Sequence, residues 1–183
     1  MSARALSAPR AQLPNALTIL RLVLVPVFAV LLIRSDNGES VAAAIVFGIA
    51  GVTDQIDGYL ARRWHVESRF GAVADPLADR LMIDVAVILL WWDGRLPFLG
   101  LLVILGRDLI LLAGAKLLQP RGLEVKVNFV GKAATWILYA SIFFVMLTAE
   151  GTRWPLVCFW IGVGLAVVAG IQYVITARRE LRA

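Results

Sequence analysis

The chain has 183 residues, 60% of them hydrophobic, and carries a formal net charge of +5. A soluble domain of this size holds about 45–50% apolar residues, so an ordinary water-soluble globule is excluded. The single cysteine, Cys158, rules out an intramolecular disulfide, and its apolar neighbours suit a buried, inert thiol. The basic balance does not call for nucleic acid, because basic loops beside apolar runs follow from membrane orientation and attraction to anionic lipid.

The apolar residues fall into runs, which predicts an all-α integral membrane protein with a single domain over residues 1–183. Residues 1–14 read as a short cytoplasmic segment; the stretch up to Gln12 is polar and short, without the pattern of a cleavable signal. Six predicted spans follow in order: Leu17–Ile33, Val41–Leu60, Ala72–Trp92, Phe98–Leu118, Phe129–Thr148 and Leu156–Ala177. Each approaches the roughly 20 residues that cross the hydrocarbon core. Turn chemistry separates them at Ser35-Asp36-Asn37-Gly38, Asp93-Gly94, Gln119-Pro120-Arg121-Gly122 and Glu150-Gly151. Residues 178–183 form a basic tail. No long linker, second domain or internal repeat interrupts the series.

Lysine and arginine set the orientation. Eleven of them (Arg4, Arg10, Arg62, Arg63, Arg69, Lys116, Arg121, Lys126, Arg178, Arg179 and Arg182) lie on one side of the spans, against Arg34, Arg95 and Arg153 on the other. Both termini are therefore expected in the cytoplasm. Arg21, Arg80, Arg107 and Lys132 fall inside or at the edge of spans, and need a reason to be there.

Four aspartates between the second and third spans dominate the sequence. They stand in the pattern D-x-x-D-G-x-x-A-R, eight residues, then G-x-x-x-D-x-x-x-D, with Asp54, Asp57, Gly58, Ala61, Arg62, Gly71, Asp75 and Asp79 at the fixed positions. One charge at the centre of a spanning helix costs roughly 2.5–3.5 kcal/mol, so four without partners would cost on the order of 10 kcal/mol. At 100° per residue, Asp54 and Asp57 share one face of the second span, as Asp75 and Asp79 share one side of the third. The polar stretch from Arg63 to Arg69 reads as a tight cytoplasmic turn that sets the two helices antiparallel. Four carboxylates converging near the inner face suit Mg²⁺ or Mn²⁺, which take carboxylates together with substrate phosphates.

Blander readings stand beside this one. Gly58 and Ala61 leave room for a bulky ligand, or simply allow close helix packing. Arg62 is a phosphate clamp or a membrane anchor. The aspartates would otherwise form salt bridges with Arg80, Arg107 or Arg21, but they outnumber the cations nearby. Asp84, four residues after Arg80, is expected to pair with it, and Asp108, beside Arg107, suits a structural pairing. His65, the only histidine, lies in a polar turn and reads as a solvated loop residue.

The eight fixed positions resemble, without departure, the signature of the CDP-alcohol phosphotransferases (CDP-alcohol phosphatidyltransferases). The likeness extends to Leu13-Pro14-Asn15-Ala16-Leu17-Thr18 with Arg21, to Gly106-Arg107-Asp108 and to Gly131-Lys132, which resemble the bacterial phosphatidylglycerophosphate synthase branch. The stretch Val127–Thr135 is similar to actinobacterial members, some of them cardiolipin synthases. The resemblance implies six spans with cytoplasmic ends and a homodimer in the bacterial cell (inner) membrane. It also implies two divalent cations held by Asp54, Asp57 and Asp75, with Asp79 completing the site and serving as general base. Gly58, Ala61, Arg62 and Gly71 would accommodate the cytidine diphosphate.

The implied reaction moves a phosphatidyl group from CDP-diacylglycerol to an alcohol and releases CMP. Glycerol 3-phosphate is the expected acceptor; phosphatidylglycerol, as in a cardiolipin synthase, and inositol phosphate are alternatives. Arg107 and Lys132, basic and intramembrane, fit a pocket for the acceptor phosphate. Arg21 reaches a substrate or pairs with an acid. Asn15 and Thr18 cap the first span or touch the nucleotide. A cation transporter would spread acids through the membrane depth, whereas these cluster toward one face. A membrane prenyltransferase would carry two separate aspartate-rich motifs and more spans.

Overall fold

The structure, a computed structural model, describes residues 8–64, 71–118 and 129–180; within the helices, the side chains at 8–15, 18, 54–64, 71–79, 112, 115–118 and 177–180 are outside the description. Among the described residues the fold is all-helical, with six helices: α1 (Ala8–Ile33), α2 (Val41–Trp64), α3 (Gly71–Trp92), α4 (Phe98–Leu118), α5 (Phe129–Leu147) and α6 (Arg153–Glu180). They match the six predicted apolar segments in order. The largest boundary difference is at α1, which begins at Ala8, well ahead of Leu17, because a helix continues past the apolar stretch that hydropathy detects; for the same reason α2 runs on to Trp64 and α6 covers Arg153–Glu180. Asn15 and Thr18 consequently lie inside α1 and do not cap it.

The helices pack as pairs, α1 with α2 and α5 with α6, joined through α2 against α5, α1 against α3, and α4 against both α3 and α6. The core runs through Phe28 and Leu32 of α1, Phe47 of α2, Met82, Val87 and Leu90 of α3, and Leu138, Ile142 and Met146 of α5. Small residues allow the close approaches. A β-carbon at Gly162 of α6 would lie 2.9 Å from Cγ of Leu138 and 3.2 Å from its backbone nitrogen, so α5 and α6 meet nearly backbone to backbone.

The distribution of bulk is inverted relative to a protein in water. On α2, Ala43, Ala44 and Ala50 are fully buried while Ile45, Ile49 and Val52 are 53%, 49% and 57% exposed. On α6, Gly162 and Ala166 face inward while Ile161, Ile171 and Ile175 face out. Water would penalise that arrangement, whereas hydrocarbon accepts large apolar side chains and leaves close packing to small ones. Among the described residues, Phe129–Leu147 and the Arg153–Thr176 part of α6 are long and apolar enough to cross a membrane, and Ile19–Ile33 and Val41–Thr53 are shorter apolar stretches.

One end of the bundle is tied by a single arginine. α3 stops in a Schellman turn: Gly94, with φ +73°, and Arg95 donate to the carbonyls of Trp91 and Leu90 at 2.9 and 2.8 Å. This aims the Arg95 side chain inward, where Nη1 donates to the Asn37 carbonyl at 2.9 Å. Its Nη2 donates to the carbonyls of Val145 and Thr148, both at 2.6 Å, at the end of α5. Glu39 lies 3.4 Å from the guanidinium and accepts from the Glu150 backbone N–H at 2.7 Å. Gly38 has both a left-handed φ of +69° and no room for a side chain, since a β-carbon would sit 3.1 Å from Cγ of Arg95. Burial pushes the nearby Asp93 carboxyl above its ordinary pKa, against the opposing pull of Arg95.

Ser40 completes this end. Its hydroxyl accepts from the Ala43 N–H at 3.1 Å to cap α2, and its own N–H donates to the Met146 carbonyl at 3.0 Å. Three turns are thus pinned to one another through Arg95. Arg95→Ala is expected to cost on the order of 3 kcal/mol, since it strands carbonyls that a charged donor now satisfies. Arg95→Lys should recover part of that loss. Thermal unfolding in detergent checks it, and an unchanged midpoint for Arg95→Ala would contradict the assignment.

Candidate active site

The eight signature positions fall on two consecutive helices that pack against each other. Asp54, Asp57, Gly58, Ala61 and Arg62 belong to the last turns of α2, and Gly71, Asp75 and Asp79 to the first turns of α3. The two helices touch, and the step from Trp64 to Gly71 reaches at most about 25 Å. The side chains of these residues lie outside the description, as do those of Asn15 and Thr18, and so does the turn at His65. The expected convergence of the carboxylates therefore rests on the helices that carry them. Among the described residues no cluster of three or more metal-ligating side chains occurs.

Immediately beyond the signature, α3 is fastened to α4 by charge. Nη1 of Arg80 donates to Oδ1 of Asp108 at 3.0 Å and to the Asp108 carbonyl at 3.2 Å. Nη1 of Arg107 donates to the same Oδ1 at 3.2 Å. The Asp108 side chain is only 7% exposed, so this carboxylate is held in the interior between two guanidiniums. The pairing expected between Arg80 and Asp84 does not form. Arg80 reaches across to α4, where a carboxylate and a carbonyl together offer two acceptors, and Oδ1 of Asp84 is left buried with no hydrogen-bond partner among the described residues. Spacing along one helix could not reveal this, because the competing acceptor comes from 28 residues away.

The basic residues assigned to the acceptor separate. Arg107 lines a cavity between α4 and α6, and its Nε is buried without a hydrogen-bond partner among the described residues. Lys132 is exposed near the start of α5, a helix that makes no direct contact with α4 among the described residues. Arg21 is fully buried within α1. The sequence thus puts four aspartates on the contacting helices α2 and α3, and Arg107 lies on α4, which packs against α3.

Comparison with known proteins bears on this arrangement. A family model described as CDP-alcohol phosphatidyltransferase matches residues 11–168. A cardiolipin synthase (CMP-forming) of Streptomyces coelicolor is 38% identical over 184 residues, covering 93% of this chain and 85% of that protein. A CDP-diacylglycerol–glycerol-3-phosphate 3-phosphatidyltransferase of Bacillus subtilis is 32% identical over 178 residues, covering 88% and 92%. The protein of the same description from Escherichia coli is 29% identical over 193 residues, covering 92% and 96%.

The charge layer has a direct test. Asp108→Ala leaves two guanidiniums in the interior without their shared carboxylate, and is expected to cost about 3 kcal/mol, the lower end for breaking a buried pair because Arg80 is partly exposed. Replacing Arg80 and Asp108 together with Met and Leu should cost less than Asp108→Ala alone. A double-mutant cycle on thermal stability measures the coupling, and additive effects would contradict it.

Proposed function

The chain belongs to the CDP-alcohol phosphatidyltransferase family, and from that premise we propose that it makes phospholipid by moving a phosphatidyl group from CDP-diacylglycerol to an alcohol. The observation that carries this is the complete aspartate signature at the adjoining ends of α2 and α3. The six helices cross the bacterial cell (inner) membrane with both termini on the cytoplasmic side, as the eleven-to-three lysine and arginine asymmetry supports. The chain acts as a homodimer, in keeping with the family resemblance.

Asp54, Asp57 and Asp75 hold divalent cations, Mg²⁺ or Mn²⁺, and Asp79 completes the set. The donor chemistry fits: carboxylates only, about four negative charges against about four positive for two ions, and room for substrate phosphates as further ligands. When bound, the ions neutralise charge on the diphosphate and on the departing CMP. Gly58 and Ala61 lack bulk and leave space for the nucleotide beside α2, while Arg62 and Gly71 orient it. Asn15, Thr18 and Arg21 of α1 border the nucleotide end.

Asp79 takes the proton from the acceptor hydroxyl. The hydroxyl oxygen then forms a bond to the phosphorus of the phosphatidyl group as the bond from that phosphorus to the CMP oxygen breaks. The acceptor presents a free glycerol hydroxyl and a phosphate. Glycerol 3-phosphate, which the names of the B. subtilis and E. coli relatives carry, has both. Phosphatidylglycerol also has both, and the S. coelicolor relative supports it as the second reading. Arg107 of α4 is the acceptor-phosphate residue on this reading, and Lys132, which α5 carries apart from it, would serve only an acceptor that spans both helices.

Purified protein given CDP-diacylglycerol, Mg²⁺ and these acceptors is expected to release CMP; release with neither acceptor would overturn the proposal. Asp79→Asn should lower turnover by about 100- to 10,000-fold, the range for loss of a general base, with thermal stability close to that of the parent. Turnover within a few-fold of the parent would remove Asp79 from the role of base.

A further inference from the structure

Arg80 follows Asp79 directly and is the first described side chain of α3. An acceptor on its own helix stands one turn further on, at Asp84, and Arg80 does not take it. Instead Nη1 reaches across to α4, donating to Oδ1 and to the backbone carbonyl of Asp108 at 3.0 and 3.2 Å. Oδ1 of Asp84 is left buried, with no hydrogen-bond partner among the described residues. A stranded buried acceptor is unfavourable, and a local Arg80–Asp84 pair would avoid it. What the longer reach adds is a fixed relation between two helices, because one of its acceptors belongs to the α4 backbone.

α3 gains from a tether at this level. Among the described residues it packs chiefly on α1, less on α4 and only lightly on α2, the helix that carries Asp54 and Asp57. Its described buried apolar side chains, Met82, Ile83, Ala86, Val87 and Leu90, all lie beyond Arg80, away from the signature. Small errors of rotation are costly there. A side-chain tip lies about 5–6 Å from its helix axis, so turning a helix by about 10° carries the tip through about 1 Å. A misplacement of about 1 Å can slow a reaction about 100-fold.

We infer that Arg80 is a positioning residue for the transfer reaction: by holding α3 to the α4 backbone at Asp108, it sets the rotation of α3 at which Asp79 serves as base. This rests on the phosphatidyl-transfer reading above, with Asp79 as the base. Arg80 itself touches no reacting atom in this role. Its loss should therefore lower kcat rather than substrate binding, and should matter only while Asp79 is present to be aimed.

The test measures CMP release in nanodiscs with CDP-diacylglycerol, Mg²⁺ and either glycerol 3-phosphate or phosphatidylglycerol, well below the unfolding midpoint of each variant. Arg80→Met leaves Arg107 on Asp108, and is expected to lower kcat about 10- to 100-fold with both KM values within about threefold of the parent. Arg80→Lys keeps a charged donor for Asp108 and should recover part of that loss. Asp84→Leu removes the stranded acceptor but leaves the tether, so its kcat should stay near that of the parent. In an Asp79→Asn background Arg80→Met should bring no further loss, whereas a general weakening of the fold would multiply the two effects. Parent-like kcat for Arg80→Met, a change confined to KM, an equal loss from Asp84→Leu, or multiplied losses in the Asp79→Asn background would each overturn the inference and leave phosphatidyl transfer intact. Parent-like turnover of Asp79→Asn would remove the base and its positioning residue together. No CMP from the parent with either acceptor would overturn phosphatidyl transfer, and this inference with it.

Discussion

Carboxylates and guanidiniums inside a helix bundle whose exterior suits hydrocarbon are the constraint on which the rest depends. No water is at hand along such helices to solvate a charge, so each must find an internal partner or a bound ion. Asp108 meets this by sitting between Arg80 and Arg107, and Arg95 by collecting three backbone carbonyls. The four signature aspartates carry the same requirement. The nearby guanidiniums of Arg80 and Arg107 are engaged by Asp108, which strengthens the case for divalent cations as their counter-charge.

These settlements also divide the molecule mechanically. At one end, Arg95 and Ser40 lock three turns to the ends of α2, α3 and α5, and rigid packing follows. Midway, the Arg80–Asp108 contact fixes α4 against α3 one residue past Asp79. The position of α4 in turn sets the cavity that it shares with α6. The chemistry proposed for α2 and α3 is thereby tied to the placement of α4 through the Arg80–Asp108 ion pair. A phosphatidyltransferase gains from such rigidity, because the activated phosphorus and the attacking hydroxyl must be held together in one orientation.

Much of this was legible in the sequence. Apolar runs located all six helices, since apolar length marks a helix in lipid independently of tertiary detail. Gly38, Gly94 and Gly151 marked turns where the backbone adopts a positive φ. What escaped depended on partners remote in sequence. Arg95 read as an ordinary loop cation, yet it is buried against carbonyls some 50 residues away. Arg80 was matched to Asp84 on its own helix, when the stronger acceptor pair lay on α4. The start of α1 was missed because Ala8–Ala16 is polar enough to end an apolar run without ending a helix. The cavity between α4 and α6 was invisible for a related reason: its walls come from helices about 60 residues apart in sequence, and no local pattern pairs them.

The claim that most needs direct measurement is that carboxylates from α2 and α3 share a divalent-cation centre. Mn²⁺ titration of the protein in nanodiscs, followed by electron paramagnetic resonance, reports on it without relying on turnover. Saturable binding of about two ions per chain is expected, lost when Asp54 and Asp57 are both changed to Asn while the helical content is retained. Absence of saturable Mn²⁺ binding, or binding indifferent to those two substitutions, would contradict the account.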